Sequence, residues 1–295
     1  EIFKSQIKAF RKHQLPSKYL SVIDELPTST GVYYLHNAMG DILYIGKSNN
    51  IQKRVRTHLT RSNRKAQKIQ KELHKVNFET TGSDLIALLK EQHEIKKNQP
   101  RINKDGRYRL YPLGIRIDKQ TSYHQLLLEQ VRNDRDYFVV FKNGRVAKQV
   151  MNQWMETYEL CQKYSSFKEV EGACYAYKNN SCKGACLNEE KPERYNQRVD
   201  KLKKKNNYPY RNFLMIDRGR KDGEYSFIYI ENQKLKGYGF YELNHQIKNK
   251  EKILNRITAM EDNSDCRALI LSYIKKKKYR KLIPLDVTNV SFNYD

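Results

Sequence analysis

No apolar stretch in the 295 residues approaches the roughly 18 that a membrane-crossing helix needs. The N-terminus lacks the charged-then-apolar pattern of a secretory signal, and the chain begins at Glu1 rather than Met, which leaves room for an upstream domain or leader. Hydrophobic residues make up only 38%, low for a globular chain. Acidic side chains are outnumbered, 33 Asp+Glu against 57 Lys+Arg, for a net charge of +24. Such a charge attracts polyanions, so nucleic acid is the first partner class and a membrane surface the second. Aromatics compensate for the thin aliphatic content: 22 Tyr and 10 Phe supply area for cores, whereas disordered chains are poor in rings. An odd cysteine count, five, without a signal peptide reads as a cytoplasmic chain with reduced thiols or a metal site. There is no internal repeat.

Residues 1–24 read as a short lead-in helix broken at Pro16. GVYYL and DILYIG are strand-like and meet through HNAMG, where Gly40 suits a turn. A helix follows with Ile51, Val55 and Leu59 at its apolar positions, Ser48 or Asn49 as cap, and Arg54 and His58 on its polar face. Residues 61–75 are basic and helical, 76–82 form a strand, and 83–100 a helix capped by Ser83 or Asp84 with Leu85, Leu88, Leu89 and Ile95 as its stripe. This order predicts an α+β unit over 25–105. Strands at PLGIRI, YHQLLLEQ and DYFVVFK, a helix over 143–160, a cysteine segment and a polar helix make a second region over 106–205. NNYPYRN (206–212) is the linker candidate. Strands FLMI, YSFIYI and GYGFYEL, then helices around 245–260 and 264–278, predict a small α/β domain over 206–295.

The first unit collects a chemical inventory. Its hairpin offers Tyr33 and Tyr44 with Lys47 just beyond; its helices offer Arg54, His58 and Glu91. Phosphodiester hydrolysis needs a base for water, a cation to clamp the phosphate, and a metal, for which carboxylate oxygen suits Mg²⁺. The plain alternative is an aromatic hairpin beside solvated charges. Four cysteines, Cys161, Cys174, Cys182 and Cys186, follow the spacing C-x12-C-x7-C-x3-C. Four thiolates can bind zinc or an iron–sulfur cluster, and the absence of paired CxxC knuckles leans away from standard zinc sites. Buried free thiols are the alternative, and packing is the expected role of Cys266.

GVY…YIG, then GKSNNIQKRV and ALLKEQHEIKKNQPRIN, together resemble the GIY-YIG nuclease family, most closely its UvrC/Cho excision-repair branch. The resemblance covers about residues 24–200. It implies a three-stranded antiparallel sheet flanked by helices. It also implies a catalytic set of Tyr33, Tyr44, Lys47, Arg54, Glu91 as ligand of Mg²⁺ or Mn²⁺, and Asn103. Where the UvrC branch has a tyrosine one turn after the arginine, this chain has His58, so Tyr33 and His58 are both candidates for the general base. The cysteine segment followed by GACLNEEKPERYNQRV resembles the same branch and implies a 4Fe–4S cluster on Cys161, Cys174, Cys182 and Cys186, with zinc as the alternative.

Basic runs at 53–71, 96–109, 201–205 and 275–281 carry interleaved tyrosines, among them Tyr108, Tyr111, Tyr208 and Tyr210. Charge would follow phosphates and rings would stack on unpaired bases. No coiled-coil hairpin for a UvrB-type partner and no acidic triad of a second nuclease is legible over 211–295, where Asp217, Glu231 and Glu242 read as ordinary strand-end carboxylates. The expectation is a cytoplasmic, Cho-like endonuclease making a single incision 3′ to a lesion in damaged duplex DNA, with UvrA/UvrB-type proteins as associates. The alternatives are a non-catalytic nucleic-acid-binding scaffold and the UvrC-like module of an exonuclease fusion.

Overall fold

The computed structural model describes residues 19–104, 107–165, 172–242 and 255–285. The expected lead-in helix falls outside them up to residue 18, and Leu20–Asp24 (α1) is helical. The two tyrosine runs form β1 (Gly31–His36) and β2 (Ile42–Ser48), and β3 (Lys75–Thr80) pairs with the other side of β1. The result is the expected three-stranded antiparallel sheet, in the order β2-β1-β3.

Side chains alternate across these strands, so each face has its own core. On one face Tyr33, Leu35 and Tyr44 pack with Ile51, Val55 and Leu59 of α2 (Ile51–Thr60) and Ile69 of α3 (Arg64–Glu72). On the other, Val32, Tyr34 and Ile45 meet Ala87 and Ile95 of α4 (Asp84–Asn98). The cap of α2 is Asn50, not Ser48 or Asn49: its side chain accepts from the Lys53 amide at 2.8 Å. Asn63 does the same for Ala66 and starts α3 later than expected. Each such cap contributes about 1 kcal/mol. Ser83 occupies the cap position of α4, but its hydroxyl donates instead to Asp217 at 2.9 Å.

The second region forms a sheet in the order β5-β4-β6 from β4 (Leu113–Asp118), β5 (Gln125–Gln130) and β6 (Val139–Phe141). It shares a core with α5 (Gly144–Thr157), the short α6 (Tyr175–Lys178) and α7 (Pro192–Lys205), where Phe138 stacks on Trp154 and Tyr123 on Tyr164. Among the described residues, the third region is a five-stranded sheet with one helix. Its strands are β7 (Phe213–Arg218), β8 (Glu224–Glu231), β9 (Lys234–Glu242), β10 (Thr258–Ala259) and β11 (Lys281–Pro284), in the order β10-β9-β8-β7-β11.

Two expectations change here. The helix placed around 245–260 lies outside the described residues over 243–254, and Thr258–Ala259 is strand, paired with Tyr238 and Gly237. The last helix, α8 (Ser264–Lys275), stops short of 278, with Lys277 in the left-handed region. β11 was not expected: four residues behind a lysine run give no alternation to read, and Pro284 fits only because the strand lies at the sheet edge.

The linker candidate 206–212 is packed, since Asn206 and Tyr208 are buried. Tyr208 joins Leu85, Ile86 and Leu89 of α4 and Phe213 and Ile270 of the third region in one core. α4 therefore carries the nuclease-like sheet on one side and the third region on the other. Asp265 at the start of α8 secures this junction. Its carboxylate is fully buried and accepts from Lys96 Nζ of α4 at 2.7 Å and from the amides of Leu110 and Tyr111 at 3.1 and 3.0 Å. Asp265→Ala strands two amides and a partly exposed lysine. It is expected to cost roughly 2–4 kcal/mol, read as a lowered denaturant midpoint; an unchanged midpoint would contradict the junction.

Candidate active site

Tyr33 faces Gly46 directly across the β1–β2 pair. A Cβ on Gly46 would lie 2.3 Å from Tyr33 Oη, so glycine is required there for the ring to cross β2. A Cβ on Gly31 would meet the Glu79 carbonyl oxygen of β3 at 2.1 Å. Gly46 thus answers to the ring of the first tyrosine, and Gly31 to the close approach of the β3 backbone. Tyr44 is on the same face, its ring centroid 6.1 Å from that of Tyr33 and 5.3 Å from that of His58.

His58 was expected on the polar face of α2, yet it is buried beside Val55 and Leu59. Its Nε2 and Tyr33 Oη share a hydrogen bond of 2.8 Å. Burial, then the positive charges of Lys65, Arg54 and Arg61, lower the imidazole pKa to about 3. Burial also holds the Tyr33 phenol well above its usual range, with Tyr44 adding to the effect. At neutral pH both groups are uncharged, which is what a proton-sharing pair in a dry pocket requires.

Glu91 projects from α4 to the end of β2, where Oε1 accepts the Lys47 amide at 2.9 Å. Burial raises its pKa, opposed by that amide and by the charges of Lys47, Arg54 and Lys65. Among the described residues no donor lies on Oε2. The Lys47 ammonium is held by Asp84 Oδ1 at 2.5 Å, and Asp84 Oδ2 accepts from Tyr273 Oη of α8. Burial opposes ionisation of Asp84, but these two hydrogen bonds keep its pKa below the usual carboxylate value. The third region thus reaches the site through Tyr273, and Asp217 lies against the first turn of α4 through Ser83. Arg54 is exposed on α2, its guanidinium under the influence of Tyr33, Tyr44 and Glu91.

The structure brings together Tyr33, Tyr44, Lys47, Arg54, His58 and Glu91. Asn103 is different. It is buried, and its amide bonds both polar groups of Ile45, accepting from N and donating to O at 2.9 Å each. β2 is an edge strand, and Asn103 completes its hydrogen bonding as a neighbouring strand would. Sequence reading missed three residues: Asp84, Tyr273 and Lys65, whose Nζ stands 3.8 Å from the Tyr44 ring centroid. Lys65 sits among many lysines, and only its position four residues before the buried Ile69 hinted at a site-facing side chain.

Three of the four cysteines, Cys161, Cys174 and Cys186, converge within 4.8 Å of one another, and Cys182 approaches Cys174. Cys174 Sγ lies 3.8 Å from Cys161, 4.0 Å from Cys182 and 3.7 Å from Cys186. Burial opposes a thiolate at Cys174, but the amides of Tyr177 and Gln162 and the neighbouring thiols lower its pKa overall. Cys266 is buried in the core between α4 and the third region, as expected for packing. Of the tyrosines in the basic runs, Tyr108 is 81% exposed and Tyr210 40%, so both can stack on a base, whereas Tyr208 at 4% cannot.

A three-stranded sheet holding two phenols, an imidazole, an arginine and a half-buried carboxylate around the YIG strand is the arrangement of a GIY-YIG nuclease domain. Comparison with known families is more specific: residues 29–104 match the UvrC-like GIY-YIG domain, and residues 113–205 match the middle domain of the UvrC/Cho excinuclease. The chain belongs to this UvrC-like GIY-YIG family. It is 31% identical to the UvrABC system protein C of Borreliella burgdorferi over 199 residues, 65% of this chain and 32% of that protein. It is 28% identical to the same-named protein of Clostridium perfringens over 192 residues, 60% of this chain and 30% of that one. The chain thus spans about a third of the length of the curated relatives it matches. Among solved structures it is similar to the GIY-YIG N-terminal endonuclease domain of UvrC from Thermotoga maritima bound to its catalytic divalent cation, magnesium. That match has 28% identity, covers 30% of this chain and 99% of that one, and has a TM-score of 0.28.

An imidazole whose folded pKa lies below its unfolded value stabilises the fold fully above the unfolded value, near 6.5, and loses that contribution as pH falls towards 3. The melting temperature should therefore drop more steeply between pH 7 and pH 4.5 in the wild type than in His58→Gln. Parallel profiles would show that His58 is not held neutral.

Proposed function

We propose that the chain is a divalent-cation-dependent DNA endonuclease of excision repair, making a single incision 3′ to a lesion in damaged duplex. The observation that carries this reading is Glu91, a half-buried carboxylate with one oxygen fixed by the Lys47 amide and no donor on the other among the described residues, close enough to Tyr33 and Arg54 to act on the charge of both. Burial makes the bare carboxylate costly, and a hard cation offsets that cost. Glu91 would hold Mg²⁺ or Mn²⁺, and the bound ion supplies neutralisation of the phosphate oxygens.

The remaining chemistry belongs to side chains. Tyr33 Oη takes a proton from water as its own proton passes to His58 Nε2, so the two candidates for general base act as one relay. The hydroxide forms the new P–O bond in line, and the leaving sugar oxygen takes a proton from solvent. Arg54 steadies the charge that builds on the phosphate, a role worth about 10²–10³ in rate when a comparable donor is removed elsewhere. Tyr44 and Lys47 position the phosphate and water, and Asn103 positions β2.

DNA is the substrate, and the +24 charge supplies its electrostatic attraction. UvrA/UvrB-type proteins are the expected associates. The division into units at 25–105, 106–205 and 206–295 and a cytoplasmic setting complete the reading; the free thiols favour the latter. No helix among the described residues is long and apolar enough to cross a membrane. Glu91→Gln should abolish metal-dependent nicking of damaged duplex while leaving DNA affinity nearly unchanged. A fully active variant sinks the assignment, and a wild type that binds DNA but never nicks it favours the scaffold alternative.

We also propose that Cys161, Cys174, Cys182 and Cys186 hold a metal centre that braces this basic region. A tetrahedral ion with Zn–S bonds of about 2.3 Å sets sulfurs about 3.8 Å apart, and the separations around Cys174 are 3.7, 3.8 and 4.0 Å. Cys161, Cys174 and Cys186 lie within 4.8 Å of one another, a spacing that suits one ion, while Cys182 falls outside that group; the family resemblance favours a 4Fe–4S cluster, whose thiolates sit on four separate irons. Anaerobically purified protein should carry either stoichiometric zinc or iron with visible charge-transfer absorbance. Metal-free protein with four titratable thiols would refute the centre.

A further inference from the structure

Lys65 belongs to none of the positions that the family resemblance assigns, yet its place is built into the fold. The Asn63 cap fixes where α3 begins, and Ala66 and Ile69 bury its inner face. Residues four apart share a helix face, so Lys65 stands one turn before Ile69, at the rim of the core containing Tyr33 and Tyr44. The helix cannot slide. Gln70 Nε2 donates to the carbonyls of His58 at 3.0 Å and Arg61 at 2.8 Å, and Tyr19 Oη donates to the Gln70 carbonyl at 2.7 Å.

The Lys65 ammonium is thereby set 3.8 Å from the centre of the Tyr44 ring, a cation–π contact that orients it without using its hydrogen-bond donors. Lys47, the lysine the resemblance assigns, has its ammonium held by Asp84. Lys65 has no carboxylate partner among the described residues. Its charge reaches both ends of the site, acting on His58 and on Glu91. An exposed ammonium with free donors, aimed by an active-site phenol, is a receptor for an anionic oxygen.

We propose that Lys65 is a phosphate-binding residue of this site, donating to a non-bridging oxygen of the scissile phosphodiester opposite Arg54. The inference rests on the nuclease reading and adds a second cation to it, supplied by α3 rather than α2.

The test uses the full chain and two variants, Lys65→Met, which keeps the aliphatic stem, and Lys65→Arg, which keeps the charge. Single-turnover nicking at saturating protein should fall at least about tenfold in Lys65→Met, by comparison with loss of one transition-state donor, and recover to within a few-fold in Lys65→Arg. Binding to the same duplex in EDTA, followed against salt, should lose about 0.9 from its logarithmic slope in Lys65→Met, the share of one phosphate contact. Wild-type rate together with wild-type slope in Lys65→Met overturns the inference while the nuclease reading stands. A wild type that never nicks overturns the nuclease reading; the salt slope then still decides, because an unchanged slope removes the phosphate contact as well.

Discussion

The hydrogen bond from the Lys47 amide to Glu91 is the contact on which the rest of the site depends. It joins the last residues of an edge strand to the middle of α4, and it orients a carboxylate that water cannot fully solvate. One oxygen is committed to the backbone and the other is left for a ligand. α4 is also where the third region docks, through Leu85, Ile86 and Leu89, and where Lys96 meets the buried Asp265. The residue that would hold the ion is therefore mounted on the helix with the most support from both sides. A site that must keep its geometry while bound to a long, charged substrate gains from such a mount.

Opposite Glu91, aromatic packing sets the distances. Tyr33 lies across Gly46, and any side chain at 46 would displace it. His58 is drawn into the same core, and its burial is the first cause of its low proton affinity. Arg54, Lys65 and Arg61 surround that core with positive charge and lower the imidazole pKa further. A phosphate arriving among these cations would relieve the repulsion they exert on a protonated His58 and so make the imidazole a better proton acceptor when substrate is present.

Much of this was legible in the sequence, and the reasons differ residue by residue. Tyr33, Tyr44, Lys47, Arg54 and Glu91 were readable as a chemical inventory of one unit, and their grouping into a site came from the resemblance of GVY…YIG and the helices behind it to the GIY-YIG family. His58 was readable as a candidate but not as buried, since helical spacing from Arg54 put it on a polar face, and only packing against Tyr33 turns that face inward. Asn103 was expected within the catalytic set, and its use as a backbone partner for β2 depends on a turn after α4 that no periodicity encodes. Asp84 and Tyr273 are 189 residues apart, and their contact follows from the docking of the third region. Lys65 was hidden by the lysines around it, and β11 by its brevity. The four cysteines could be grouped by spacing, but the closeness of Cys161, Cys174 and Cys186 depends on how the segments around α6 pack in the second region's core.

Cleavage as proposed depends on the open oxygen of Glu91 taking the cation. Crystals soaked in Mn²⁺ and measured at the manganese absorption edge test it most directly. An anomalous peak is expected about 2.2 Å from Glu91 Oε2, with Oε1 still on the Lys47 amide. Manganese bound elsewhere in residues 29–104, with Glu91 Oε2 bare, would contradict it.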